Sequence, residues 1–178
     1  MAKNIYLIGC LLFYFLCPCY SQSGIHDGRV KVKSVYESQI GVRELTGKND
    51  GKSVESYLSY VKLGKGYAWC AAFVCWTYGQ ANIANPRSAW SPDIFPAKAV
   101  IYDRNKKENQ IPEQGDAFGI YFPDKKRIAH VGFIDKWGTT EVITVEGNTN
   151  KAGSREGDGV YRKRRLTGQI YKVARFIK

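Results

Sequence analysis

Residues 66–76 read Gly-Tyr-Ala-Trp-Cys-Ala-Ala-Phe-Val-Cys-Trp, a glycine-led approach to an apolar helix with Cys70 in its first turn. Backbone N–H groups at a helix N-terminus lack intrahelical partners, so their partial positive charge favours a thiolate over a thiol. Cys70 is therefore the candidate nucleophile, with a small buried core residue as the alternative interpretation. Cys75 is turned by about 140° around the same helix, so we expect it in the core and not in a disulfide with Cys70.

His130 is the candidate base for this cysteine. The chain has two histidines, and His26 lies in a polar lead near the N-terminus, which leaves His130 inside the predicted fold. A cysteine nucleophile normally needs an imidazole and a further group that orients it. Along the next predicted strand, alternation of side chains places Glu146 and Asn148 on one side. Either residue could accept the imidazole N–H.

Residues 1–21 have the pattern of a signal peptide. Lys3 precedes an uncharged apolar run over residues 5–16, and small residues stand just ahead of Gln22, where we expect cleavage. The run is shorter than the about 20 residues that span a bilayer. A lipid anchor on Cys19 is disfavoured because proline directly precedes that cysteine. We therefore expect export to the periplasm or the cell exterior.

Loss of this leader leaves Cys70 and Cys75 as the only cysteines, so the mature chain is not a disulfide-stapled scaffold. The net charge is +11 and, since Lys3 is the only charged side chain in residues 1–21, +10 after cleavage. This balance indicates an anionic partner such as a wall polymer, lipid head groups or nucleic acid. The densest basic group comprises Arg155, Arg162, Lys163, Arg164 and Arg165.

The predicted elements are helices first and strands afterwards. Apolar spacing predicts helices over residues 30–45, 52–63 and 70–81, with Asp50 as the cap of the second. Residues 82–114 show no sustained period apart from a helical turn or two at 97–102. Short β-branched and aromatic runs then predict five strands, at 116–122, 129–137, 141–146, 159–166 and 171–177. This order predicts one α+β domain over residues 22–178, since a parallel sheet would need helices between the strands.

Three motifs, taken together and in order, resemble the CHAP family of amidohydrolases and peptidases that cut peptidoglycan. They are Trp-Cys-Ala-Ala-Phe-Val at 69–74, His-Val-Gly-Phe-Ile at 130–134 and Glu-Gly-Asn at 146–148. Residues 40–44 and 46–51 are also similar to the lead-in of a bacterial and phage branch of that group. The similarity extends from about residue 35 to residue 164.

This resemblance implies a papain-like fold, with the nucleophile helix packed on a mostly antiparallel sheet of about five strands that bears the base. It implies Cys70 as nucleophile, His130 as general base and acid, and Glu146 as the residue that orients the imidazole. Asn148 is then a second polar support or an alternative orienting residue. The backbone N–H of Cys70 is expected to contribute to an oxyanion hole.

The candidate substrate contacts are Tyr67, Trp69 and Trp90, and the Tyr67 hydroxyl could also join the oxyanion hole. Some members of the family have acidic calcium ligands shortly before the cysteine, but residues 64–68 contain none. We therefore expect no metal and no cofactor.

The expected function is hydrolysis of an amide or peptide bond of peptidoglycan by an exported bacterial enzyme. We expect a monomer whose further partners are anionic wall polymers. A binding module without turnover, or a transpeptidase or acyltransferase that uses the same cysteine and histidine, are the alternatives on this fold. Nucleic-acid binding is disfavoured by the leader and by the lack of aromatic residues interleaved with basic ones.

Overall fold

The computed structural model describes residues 19–152 and 157–178, which form three α-helices followed by a six-stranded sheet. The helices are α1 (Cys19–Gln39), α2 (Lys52–Tyr60) and α3 (Cys70–Gln80). The strands are β1 (Val100–Asp103), β2 (Ala117–Phe122), β3 (Arg127–Lys136), β4 (Glu141–Thr149), β5 (Gly159–Leu166) and β6 (Lys172–Ala174). Neighbouring strands are antiparallel in the order β1-β6-β2-β3-β4-β5. The predicted α+β fold is confirmed.

The predicted leader falls mostly on residues 1–18, which lie outside the described residues, and its last three residues belong to the first turn of α1. Over the described ranges, every helix is too short or too polar to cross a bilayer.

Helix α3 lies at the centre of the main core. Residues 70–75, Thr77 and Tyr78 are all buried, because α1, α2, β3 and β4 each contact this helix. Phe73 and Tyr78 meet the Phe133 ring of β3 edge-on, at centroid distances of 6.0 and 5.1 Å. A helix without a polar face is stable only when it is surrounded in this way. The first turn of α3 is thereby held in place against the sheet.

Strand β3 is buried on both faces. Val131 and Phe133 belong to the main core, whereas Ile134 packs with Phe118 and Val173 in a smaller apolar cluster. Hydrogen bonds to β2 and β4 fix its two edges. A side chain on β3 is therefore carried by one of the most constrained backbones in the protein.

The first helix is displaced from its predicted position. It was expected over residues 30–45, but α1 begins at Cys19 and ends at Gln39. Gly41 then has a φ of 99°, a left-handed conformation that favours glycine and turns the chain out of the helix.

The prediction that Asp50 caps α2 is wrong. Its carboxylate accepts hydrogen bonds from the Thr46 backbone N–H at 2.9 Å and from the Thr46 hydroxyl at 2.7 Å. The residue at the N-cap is Gly51, whose N–H donates to Glu55 Oε1 at 3.1 Å. Asp50 therefore stabilises the loop that precedes α2. The backbone N–H at the N-cap of α2 is instead bound by the side chain of Glu55, in the first turn of the helix.

The sheet contains one strand more than predicted. A helical turn or two was expected at residues 97–102, and a 3₁₀ turn does form at Ala97–Ala99, but the chain then continues as strand β1. Strand β1 pairs with β6, with Val100 opposite Ala174. This long-range pairing decides the conformation of a segment whose local pattern is ambiguous.

A buried carboxylate ties α1 to the C-terminal strand region. Asp116 is fully buried and accepts hydrogen bonds from Arg175 Nη2 at 2.8 Å and Arg175 Nε at 3.1 Å. Arg29 Nη1 lies 3.3 Å from the same carboxylate. Two guanidinium groups thus offset the cost of burying this charge.

Strand β4 approaches α3 very closely at Gly147. A β-carbon at this position would lie 2.6 Å from Trp69 Cζ3 and 2.9 Å from the Phe73 ring, and both rings are fully buried. We expect Gly147→Ala to lower the free energy of unfolding by about 1–3 kcal/mol, because neither ring can move aside without strain. Urea denaturation measures the change.

The matched control is Gly168→Ala, where no atom lies within 4 Å of the added carbon. It should stay within about 0.5 kcal/mol of the unmodified protein. Equal stability of the two variants would contradict the close packing of β4 on α3.

Candidate active site

The sulfur of Cys70 lies at the first residue of α3, among polar partners. The Ser91 hydroxyl is 3.6 Å away, and the His130 imidazole and the Val131 backbone are close enough to change the pKa of the thiol. Burial would raise the pKa of this thiol, but the hydrogen bond and charge of His130, with smaller contributions from Ser91 and Val131, lower it below its ordinary value. The helix N-terminus acts in the same direction.

His130 connects this sulfur to a buried carboxylate. Its Nε2 donates to Glu146 Oε2 at 2.8 Å, which leaves Nδ1 as the nitrogen that faces the sulfur. Burial would lower the pKa of His130, but its hydrogen bonds with Cys70 and Glu146 raise the pKa to about 9. A basic imidazole beside an acidified thiol favours a thiolate and imidazolium pair near neutral pH.

Glu146 is fully buried and accepts three further hydrogen bonds. Thr144 Oγ1 donates at 2.6 Å, and Arg165 donates from Nε at 2.7 Å and from Nη2 at 2.5 Å. Burial would raise the pKa of this carboxyl, but Arg165 and His130 together hold it well below its usual range. Glu146 is therefore ionised at every pH at which the imidazole can work, and it holds the ring in one orientation.

The structure thus brings Cys70, His130 and Glu146 together: His130 is hydrogen-bonded to Glu146 and lowers the pKa of the Cys70 thiol. Their catalytic roles stay predictions.

The structure confirms that Cys75 belongs to the core. It is fully buried, it forms no disulfide with Cys70, and its sulfur contacts the Ser88 carbonyl at 3.5 Å. Burial raises the pKa of Cys75 to about 11.

Asn148 is separated from the His130 ring. The pairing of β4 with β5 shifts register after Glu146, and Asn148 has a φ of 52°, so the expected shared face is wrong. Its amide N–H donates to Asn49 Oδ1 at 2.9 Å and lies 3.4 Å from Glu44 Oε1. Asn148 therefore braces the loop ahead of α2 and does not orient the imidazole.

Trp69 is fully buried, so the expectation that it contacts substrate is also wrong. Its indole N–H donates to Glu44 Oε1 at 2.8 Å, and the other oxygen of Glu44 accepts the Asn49 backbone N–H at 2.9 Å. Trp69 immediately precedes Cys70, so this buried carboxylate fixes the turn that presents the nucleophile. Sequence reasoning missed the role of Glu44, although the lead-in at residues 40–44 was a signal for it.

Tyr67 and Trp90 lie at the surface on either side of the nucleophile in sequence. Their side chains are 57% and 50% exposed, respectively. Both positions are open to a ligand, and their roles as substrate contacts stay predictions.

Arg165 is the residue of the site that sequence reasoning placed elsewhere. It was counted with the densest basic group of the sequence, yet it is bound to Glu146. The signal available in the sequence was the alternation of side chains along a strand, which places Arg165 on the opposite face of β5 from Arg162 and Arg164. Those two pair with surface carboxylates: Arg162 with Glu37 and Asp135, and Arg164 with Glu141. Arg155 lies outside the described residues.

Over the part of the chain that the structure describes, no group of three or more His, Cys, Asp or Glu side chains is placed to hold a metal ion.

A cysteine that begins a buried helix, packed on an antiparallel sheet that bears a histidine and a glutamate, defines a papain-like α+β fold. The CHAP domain family matches residues 62–148, a range that includes Cys70, His130 and Glu146. This match confirms the resemblance seen in the sequence motifs.

One solved structure similar in fold is that of the peptidoglycan hydrolase RipB from Mycobacterium tuberculosis. The TM-score is 0.51 at 17% sequence identity, over 88% of this chain and 68% of that chain. No curated protein matches the sequence.

The pKa shifts predict different reactivities for the two cysteines. An iodoacetamide probe at pH 7 should label Cys70 much faster than Cys75, because His130 stabilises the Cys70 thiolate whereas burial raises the pKa of Cys75 to about 11. In the His130→Ala variant, the largest contribution that offsets the burial of Cys70 is lost, so its pKa should rise and its labelling should slow at pH 7 and recover at higher pH. Peptide mass spectrometry measures both rates, and faster labelling of Cys75 would refute the assignment.

Arg165 is expected to determine the lowest pH at which Cys70 stays reactive. Removing its charge lets burial raise the pKa of Glu146, so that Glu146 takes up a proton in acid and can no longer accept the His130 N–H. For Arg165→Gln, the acid limb of the pH profile of Cys70 alkylation should therefore move to higher pH.

The matched control is Arg164→Gln, whose side chain is 68% exposed and pairs with Glu141. Its profile should follow that of the unmodified protein, and Arg165→Lys should restore part of the shift. Identical profiles for Arg164→Gln and Arg165→Gln in folded protein would show that Arg165 has no part in positioning Glu146.

Proposed function

We propose that this protein is an exported bacterial cell-wall hydrolase that cleaves an amide bond of peptidoglycan with Cys70, His130 and Glu146. The observation that carries the proposal is the position of the His130 imidazole, which is hydrogen-bonded to the buried Glu146 and lowers the pKa of the Cys70 thiol. Support for the substrate class comes from the CHAP domain and from the fold shared with a peptidoglycan hydrolase.

In the first half of the proposed reaction, the Cys70 thiolate adds to the carbonyl carbon of the scissile amide. The tetrahedral oxyanion is met by the backbone N–H of Cys70, at the uncapped N-terminus of α3, and the Tyr67 hydroxyl is the candidate second donor. Protonated His130 gives its proton to the leaving nitrogen as the C–N bond breaks. The products are a free amine and a thioester on Cys70.

In the second half, neutral His130 removes a proton from water as the water oxygen attacks the thioester. Collapse of this intermediate expels the Cys70 thiolate and releases a carboxylic acid, while His130 keeps the proton taken from water, so the starting ion pair is restored. Glu146 stays ionised throughout and holds the imidazole in register. The positive charge that His130 carries before the first half and regains in the second is stabilised by this buried carboxylate.

Export in this proposal relies on residues 1–21 acting as a signal peptide. The protein would then act as a monomer outside the cytoplasm, with its net positive charge holding it near anionic wall polymers. The ion pairs of Arg162, Arg164 and Arg165 argue against the predicted basic group as the site of that retention.

Replacing the nucleophile provides the direct test. Cys70→Ala should abolish the release of soluble fragments from purified sacculi, because no other group can form the acyl intermediate. Cys75→Ala should keep most of the activity, since this residue serves only packing. Turbidity loss and mass spectrometry of the products measure activity and identify the broken bond.

Circular dichroism of both variants controls for folding. Equal loss of activity in two folded variants would remove the distinction between the cysteines. Transfer of the acyl group to an added amine, without release of acid, would instead favour a transferase. Retention on sacculi without any turnover by the unmodified protein would indicate a binding module.

A further inference from the structure

An aromatic ring and a guanidinium group stack on each other, and each belongs to a segment that also carries a residue of the candidate site. The Cζ atom of Arg127 lies 4.0 Å from the centroid of the Trp90 ring. Trp90 directly precedes Ser91, whose hydroxyl is 3.6 Å from the Cys70 sulfur, and Arg127 begins β3, the strand that carries His130. The stacked pair therefore joins the segment behind the nucleophile to the strand of the base, at the rim of the site.

Hydrogen bonds hold the backbone of the segment that carries Trp90, so the ring is exposed on an ordered loop. The Trp90 backbone N–H donates to Ser88 Oγ at 3.0 Å, and its carbonyl accepts the Asp93 N–H at 3.0 Å. Ser88 Oγ in turn donates to Asp93 Oδ2 at 2.6 Å. The indole is therefore 50% exposed on a backbone that is held on both sides. Such a rigid, half-exposed tryptophan is typical of a binding contact.

Arg127 carries a charge that no carboxylate of the described residues neutralises. One of its nitrogens, Nη1, donates to the Ile128 carbonyl at 3.0 Å, and the guanidinium forms no ion pair within residues 19–152 and 157–178. The contrast with Arg162, Arg164 and Arg165 is plain, since each of those pairs with a glutamate. A planar guanidinium with open donors is suited to a carboxylate, which it can bind through two parallel hydrogen bonds.

We propose that Trp90 and Arg127 form a substrate subsite for a carboxylate on the peptide whose amide is cleaved. The inference rests on the proposed function and identifies a carboxylate as the group of the substrate that the site binds. Arg127 donates to the carboxylate, while the exposed part of the Trp90 ring packs against the aliphatic atoms beside it. Because Trp90 is the chain neighbour of Ser91, which contacts the Cys70 sulfur, the pair would bind a group on the cleaved peptide and not a distant anionic polymer.

The test compares purified peptidoglycan, freed of other wall polymers, with the same material after its carboxyl groups have been converted to amides with carbodiimide and excess ammonium. For the unmodified protein, amidation should lower kcat/KM at least about tenfold, mainly through KM, since a charge-assisted contact is lost. Arg127→Gln should lose a similar factor on the untreated substrate. On the amidated substrate, it should differ from the unmodified protein by no more than about twofold, because the two changes remove one contact.

The matched control is Arg104→Gln, which removes the guanidinium from another stacked pair, Arg104 over Tyr171 at 5.3 Å, away from the nucleophile. It should behave as the unmodified protein on both substrates. Trp90→Ala should raise KM on the untreated substrate, and thermal unfolding of each variant verifies the fold.

Three outcomes would overturn the subsite. Equal cleavage of the two substrates by the unmodified protein excludes a carboxylate as the recognised group. An additive loss from Arg127→Gln and amidation places the carboxylate elsewhere, and a loss confined to Trp90→Ala points to stacking on sugar rings. If the unmodified protein cleaves neither substrate, the proposed function itself fails, which is distinct from the other results.

Discussion

The buried carboxylate of Glu146 is the charge on which the arrangement of the site depends. A fully buried anion is tolerated only when it is paired and hydrogen-bonded, and here a guanidinium, an imidazole and a hydroxyl share that task. The two arginine bonds keep the carboxylate ionised, and the ionised carboxylate keeps His130 basic and correctly turned. His130 in turn lowers the pKa of Cys70. The reactivity of the sulfur on α3 is thus traceable to an arginine on β5.

The packing of α3 gives this electrostatic chain its precision. The helix is surrounded by α1, α2, β3 and β4, and Gly147 lets β4 come within contact of the Trp69 and Phe73 rings. Any larger residue at position 147 would push the strand that carries Glu146 away from the helix that carries Cys70. Glu44 adds a second buried carboxylate that holds the Trp69 indole just before the nucleophile. The two carboxylates fix the helix start and the imidazole independently.

A considerable part of the site could be predicted from the sequence, because it depends on local chemistry. Cys70 stands at a helix start that its flanking glycines and apolar residues define, and His130 is the sole histidine within the predicted strands. Asn148 and Trp69 were placed wrongly for a physical reason. A register shift after Glu146 and a left-handed backbone at Asn148 cancel the simple alternation, and neither is visible in residue types. Tryptophan is a residue type common in binding contacts, but Trp69 is covered by residues distant in the chain.

The sequence by itself determined the order of helices and strands, the helix start that acidifies Cys70, and the three motifs that resemble the CHAP family, since each depends on neighbouring residues. Only the tertiary structure decided that Arg165 serves the site while Arg162 and Arg164 serve the surface, and that β1 closes the sheet beside β6. Strand pairing brings together residues far apart in the chain, and the partner of a charge or of a backbone N–H is settled by that pairing.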